Sequence, residues 1–181
     1  TDHLNKYNFA EARNKIQAFV WHDFCDEYIE AVKYRLYTDS EDFIASKDAA
    51  KYTLKTVVST TLKLLSPITP HFTEEVNQYL EDGNLSIHQK AWPVPVEELV
   101  DHQAEDLGEI AVNIIGDIRR FKSATGKPLN IPIKSATIYT TESKLETELK
   151  QLESDIKGTT RIKTLKIEIG KPDVQERVVE V

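Results

Sequence analysis

Residues 8–37 carry their apolar side chains at helical spacing, which dictates one long helix. At about 100° per residue, Ile16, Val20, Trp21, Phe24, Cys25, Tyr28, Ile29, Val32 and Leu36 fall within an arc of roughly 220°. A stripe that wide requires neighbours on two sides, so the helix is expected at the centre of a bundle. Trp21 and Cys25 lie inside the arc and are expected in the core, Cys25 as a small hydrophobe.

The rest of the chain supplies the partners. Residues 38–47 read as a polar connection, and a second helix runs from about Asp48 to Leu65, with Leu54, Val57, Val58, Thr61, Leu62 and Leu65 at spacings of three and four. Ser66-Pro67 stops it; Thr69-Pro70 starts a third as N-cap and first helical residue, and Asp82-Gly83 ends that one. "NLSIHQKAWPVP" reads as a strap carrying Trp92, expected to pack over the bundle. A fourth main helix spans about 101–124, with Leu107, Ile110, Ala111, Ile114, Ile118 and Phe121 on its buried stripe, and Gly126 and Pro128 close it.

The pattern then changes. "NIPIKSATIYT" is β-like, and "SKLETELKQLESDIK" is an amphipathic helix with a capping box of Ser143 and Glu146 and a stripe of Leu145, Leu149, Leu152 and Ile156. "IKTLKIEIG" alternates at Leu165, Ile167 and Ile169. Gly170-Lys171-Pro172-Asp173 is a turn, and "VQERVVEV" is a last strand. The expected fold is mostly α: an antiparallel helix bundle over 1–125, followed by a small β-α-β-β subdomain over 126–181.

A composition of 40% hydrophobic and 29% charged residues describes a soluble globular chain, and no apolar run reaches the roughly 18–20 residues that cross a bilayer. The one cysteine excludes an intramolecular disulfide and multi-Cys zinc patterns and fits a reducing cytoplasm. The N-terminus lacks the apolar core of a signal peptide. The chain begins with Thr and has no Met, so it is expected to be a piece of a longer protein. A net charge of −7 argues against a generic nucleic-acid coat or a membrane-surface protein, which makes local charge the informative quantity.

"FVWHDFCDEYIE" gathers metal-ligating and acid/base side chains. His22 and Asp26, four apart, share a helix face, but a carboxylate di-metal bundle needs Glu-x-x-His on two helices, and none occurs. The stretch reads as scaffold. His71 and His88 have no Ser or Asp partner at a recognisable spacing, and no Gly-rich phosphate loop exists.

One segment departs from the acidic background. "RRFKSATGKPLNIPIK" holds Arg119, Arg120, Lys122, Lys127 and Lys134 and no acid. Cations at a helix C-terminus are favoured by the macrodipole; the alternative is a phosphate-facing patch. Lys33 and Arg35, with Tyr34 and Tyr37, form a second small basic set at the end of the first helix.

"YNFAEARNKIQAFVWHDFCDEYIE", "LLSPITPHFTEEVNQYL" and "SIHQKAWP" follow one another as in the anticodon-binding domain of archaeal-type valyl-tRNA synthetases, and the resemblance covers residues 8–124. Isoleucyl- and leucyl-tRNA synthetases share the bundle and its Pro-x-x-Pro junction but usually differ at Trp-x-x-Phe-Cys-x-x-Tyr. "IRRFKSATGKPLNIP" resembles the family's segment joining the bundle to its C-terminal part, and the last fifty or so residues match only in a general way.

The resemblance implies a parent class I ligase that activates valine with ATP and Mg and transfers it to the tRNA 3′ end. The family's HIGH and KMSKS sequences are absent from these residues, so this piece is expected to hold no cofactor and to catalyse nothing itself. Its expected partners are valine tRNA and the catalytic and editing domains of the same chain, with neither DNA nor a membrane among them. Arg119, Arg120, Lys122, Lys127, Lys33 and Arg35 would then meet phosphates or base edges, and Phe121 or Tyr34 would stack. The alternatives are an isoleucyl-tRNA synthetase domain, a helical protein-interaction module docking through its acidic face, and a metal-dependent enzyme using His22 and Asp26.

Overall fold

A computed structural model describes residues 1–38, 43–80, 85–126, 128–140, 143–170 and 178–180, the last three by their backbone. Most of them are helical, and a small sheet follows the helices. Residues 1–29 with 38–97 form one compact unit, and 30–37 with 98–181 form the other.

The first unit holds α1 (Asp2–Asn5), α2 (Phe9–Ala18), a π-helical segment (Phe19–Ile29), α4 (Ile44–Leu65) and α5 (Pro70–Leu80). Asn8 caps α2 by accepting from the Glu11 amide at 3.4 Å. The long helix expected over 8–37 is helical almost throughout but changes its hydrogen-bond period at Phe19. A π-helix bonds i to i+5, so each residue turns through fewer degrees than in an α-helix. Side chains five apart then come into line, and the Phe19 and Phe24 rings stack with centroids 6.5 Å apart. Tyr28 continues the stack on Phe24 at 5.9 Å.

Burial along the expected arc is uneven. Phe24 is buried, Cys25 is half-buried, and Trp21 is 57% exposed where the sequence put it in the core. The core of this unit is Ala12, Phe24, Ala50, Leu62 and Ile87, with Ser66, Thr73 and Asn77 as buried polar members. Thr73 satisfies its hydroxyl on the Thr69 carbonyl at 3.0 Å, as burial of a polar group demands.

The strap is tied to α5 through polar contacts. Glu74 accepts from the Ser86 hydroxyl at 2.8 Å and the Ile87 amide at 2.9 Å, and Asn77 donates to the Leu85 carbonyl at 3.0 Å. Ile87 is the apolar anchor, 3% exposed, while Trp92 remains 39% exposed with its indole N–H on Thr1. Asp82 and Gly83 lie outside the described residues.

The second unit holds α3 (Glu30–Leu36), α6 (His102–Ala124), β1 (Ile133–Thr140), α7 (Ser143–Gln151), α8 (Glu153–Thr160), β2 (Ile162–Ile169) and β3 (Val178–Glu180). Asp101 caps α6 on the Ala104 amide at 3.1 Å. β1 pairs with β2 in parallel, from Ile133 opposite Ile162 to Thr140 opposite Ile169. It pairs with β3 antiparallel, giving the order β2-β1-β3. A parallel pair needs a helical crossover, which α7 and α8 provide. The expected single helix over 143–157 is divided at Leu152, whose amide bonds to Leu149 in a tighter i to i+3 turn. The break leaves Leu149 and Ile156 both fully buried. Glu146 takes the Lys150 ammonium at 2.7 Å, which is its one side-chain bond among the described residues.

Ile114 and Ile118 of α6 join Ile133, Ala136, Ile138, Leu149, Ile156, Ile162 and Leu165 in one core. Each fully buried Ile or Leu contributes roughly 1.5–3 kcal/mol relative to exposure. The buried stripe of α6 thus packs on the α/β elements. For that reason the compact units do not follow the 1–125 and 126–181 division read from the sequence. β2 is an edge strand with Lys163 and Lys166 exposed, charges that discourage edge-to-edge pairing, and its alternation is weak enough that Ile169 is 51% exposed.

Candidate nucleic-acid interface

Three segments of the second unit meet around one concave site: α3, the C-terminal end of α6 with the loop after it, and the end of α8. α3 is fixed to α8 by a polar cluster. Asp155 accepts from the Tyr34 hydroxyl at 2.6 Å and from Arg35 Nε at 2.8 Å, and Arg35 Nη2 lies closer still. Thr159 donates its hydroxyl to the Ala31 carbonyl at 2.8 Å. The Tyr34 ring fills the space that a Cβ on Gly158 would need, so only glycine permits this approach. Burial and then the Asp155 carboxylate push the Tyr34 phenol up. Burial works against the Arg35 cation, but Asp155 outweighs it and holds the guanidinium above its ordinary value.

α6 delivers two cations with different fates. Arg119 donates to Glu30 at 3.3 Å, and Lys33 reaches the other oxygen of Glu30 at 2.9 Å. Lys122 is 1% exposed, and its ammonium donates to the carbonyls of Leu129 at 2.9 Å, Ile131 at 2.8 Å and Thr160 at 2.7 Å. It joins the loop after α6 to the end of α8. Burial, followed by the nearby Arg161 and Arg119 charges, pulls its pKa below the lysine value.

Arg161 follows α8 in the left-handed conformation, φ 57°, and donates to the Asn130 carbonyl at 3.1 Å. The groove measures about 310 Å³ and is lined by Lys33, Tyr34, Tyr37, Arg119, Asn130 and Arg161 around Glu30, with Lys122 beneath. The lining holds four cations and one carboxylate, in a chain of net charge −7.

The residues expected from sequence separate as follows. Lys33 and Arg119 line the groove. Lys122 also borders the groove, but its side chain is 1% exposed and its ammonium is taken up by three backbone carbonyls. Arg35 lies against Asp155 instead of the groove, Arg120 is 77% exposed beside Asp117, and Phe121 is half-buried away from the lining. Lys127 lies outside the described residues. Arg161 and Asn130 were not singled out in the sequence; the basic residue after Gly158-Thr159-Thr160, at a helix end, is the signal that could have led there. His22 and Asp26 stand 3.6 Å apart on an exposed face, and among the described residues no three His, Cys, Asp or Glu side chains gather as a metal site.

The second unit thus carries a cationic groove with tyrosines on its wall, a chemistry that suits phosphates and aromatic rings. The family described as the anticodon-binding domain of tRNA ligase matches residues 1–138, and this chain belongs to it. Over its full length the chain is 51% identical to the valine--tRNA ligase of Methanothermobacter thermautotrophicus and 41% identical to that of Thermococcus kodakarensis. It is 33% identical to the valine--tRNA ligase of Methanopyrus kandleri. In each case it spans about a fifth of the relative's length.

Proposed function

We propose that this domain holds the anticodon stem-loop of valine tRNA within a cytoplasmic valine--tRNA ligase, and that aminoacylation takes place in the rest of that polypeptide. The observation that carries the reading is the groove where Lys33, Arg119 and Arg161 converge over the buried Lys122. An RNA loop offers phosphates to such cations and unstacked bases to tyrosines, and Tyr37 is 80% exposed at the groove. The 181 residues contain no Gly-rich phosphate loop, so ATP and Mg are assigned to the catalytic part of the ligase.

The same-chain partner has a surface suited to it. In the first unit, Ile16, Val20, Trp21, Leu62, Leu65 and Phe72 line an apolar groove of about 460 Å³, with Trp21 57% and Phe72 62% exposed. Relatives five times as long carry much more chain than the matched segment. We assign the groove's covering to that remaining polypeptide. No described helix is long and apolar enough to cross a membrane.

The test is filter binding of valine tRNA and of a non-cognate tRNA to the full-length protein across a salt series. Each phosphate contact adds about 0.7–0.9 to the slope of log affinity against log salt. Lys33→Ala and Arg119→Ala are expected to lower the slope by that amount for both tRNAs if they hold phosphates. A base-reading residue would instead erode the preference for valine tRNA by about 1–3 kcal/mol. Parental slopes and preference in both variants would place the RNA surface elsewhere.

A further inference from the structure

We propose that the α/β element is itself part of the RNA site and that Arg161 is a phosphate-contacting residue supplied by it. The inference rests on reading the groove as the RNA site, but goes beyond the family match, which ends at residue 138.

The charge partners of the cations carry it. Lys33 and Arg119 share Glu30, Arg35 has Asp155, and Arg120 has Asp117. Lys122 is buried on carbonyls. Arg161 lies exposed in the groove lining, and among the described residues no carboxylate lies within ion-pair distance of it. A guanidinium carries five N–H donors, and the bond to the Asn130 carbonyl uses one nitrogen of the fork. The remaining donors suit a phosphate, which Arg can grip with two parallel bonds.

Backbone conformation points the same way. Helices commonly end on a left-handed residue, and glycine is its usual occupant because it has no Cβ. Here that place is taken by Arg161 at φ 57°, a strained choice that keeps a cation over the groove. The wall that carries it is fixed to α3 by Thr159 on Ala31 and by the Tyr34 ring against Gly158. Lys122, bonded to Thr160, adds a buried positive charge directly behind it. Arg161 therefore completes a set of cations drawn from both sides of the groove.

The experiment uses the full-length protein and a valine tRNA transcript, with binding measured over a salt series and thermal melting in parallel. Arg161→Gly suits the left-handed backbone and removes the cation; Arg161→Gln removes the charge and keeps a side chain; Arg161→Lys keeps the charge. Gly and Gln are expected to weaken binding about tenfold at low salt and to lower the slope by about 0.7–0.9. Lys should retain the parental slope, and Gly should melt like the parent. If Arg161→Gly and Arg161→Gln both keep the parental slope while Lys33→Ala and Arg119→Ala lower theirs, the α/β element lies outside the site and the groove reading stands without it. A lower melting temperature with a parental slope would likewise make Arg161 a structural cap and overturn the inference. Parental slopes in all of these variants would overturn the groove reading itself.

Discussion

Replacing Lys122 by Met separates structure from recognition in the basic segment. Met matches the lysine stem in length and flexibility, so packing around the 1%-exposed side chain is largely kept. What disappears is the ammonium and its bonds to Leu129, Ile131 and Thr160 at 2.9, 2.8 and 2.7 Å. Hydrogen bonds to a charged group contribute about 1.5–3 kcal/mol each, so three amount to roughly 4.5–9 kcal/mol at most. Against this, the variant no longer keeps a charge out of water, a cost of several kcal/mol. The balance is a net destabilisation of about 3 kcal/mol. For a chain of 181 residues each kcal/mol lowers Tm by about 2–4 °C, so the expected drop is about 6–12 °C.

Circular-dichroism melting gives that number. Filter binding well below the melting range, where the variant is still folded, gives the salt slope. The slope should equal that of the parent, because the ammonium faces carbonyls. A variant that melts like the parent and loses about 0.7–0.9 of slope would refute the reasoning and restore Lys122 to the phosphate-binding set.

Gly158→Ala should cost about 1–3 kcal/mol by overpacking, because the new methyl meets a Tyr34 ring held by Asp155; unchanged melting would mean that α3 and α8 are not so tightly joined. His102 should titrate above the ordinary 6.5, first because Glu105 accepts from its ring at 2.8 Å and then through the charge of Glu105 itself; NMR titration of the parent and of Glu105→Gln checks this. A raised native value favours the protonated form in the folded state. Its contribution is therefore fully present below the unfolded value and is lost as pH rises through the native one.

The sequence reading located the elements wherever a periodic stripe met a chemical stop. α6 runs 102–124 against an expectation of about 101–124, with Asp101 as its cap, and Pro70 opens α5. It missed features that no local pattern encodes. The π segment Phe19–Ile29 carries the stacked rings of Phe19, Phe24 and Tyr28, and Trp21 within it stands exposed. The polar connection expected over 38–47 is already helical from Ile44. The break at Leu152 depends on two buried side chains, Leu149 and Ile156, meeting one core from successive helices.

For the site, the excess of positive charge over 119–134 was legible, and its division of labour was not. A cation's role depends on what stands opposite it, and for these residues the opposite group is far away in sequence. Arg119 meets Glu30, 89 positions away, and Arg35 meets Asp155, 120 positions away. Lys122 meets the Thr160 carbonyl, 38 positions away. Helix periodicity places Lys122 beside Ile118, four residues earlier on the stripe that enters the core, so its burial follows from the same spacing that made the helix recognisable. The macrodipole and phosphate readings of the segment therefore have to be weighed residue by residue. Lys122 is held on backbone carbonyls, Arg119 is balanced by a half-exposed Glu30, and Arg161, with no described carboxylate opposite, is the groove cation we propose for a phosphate.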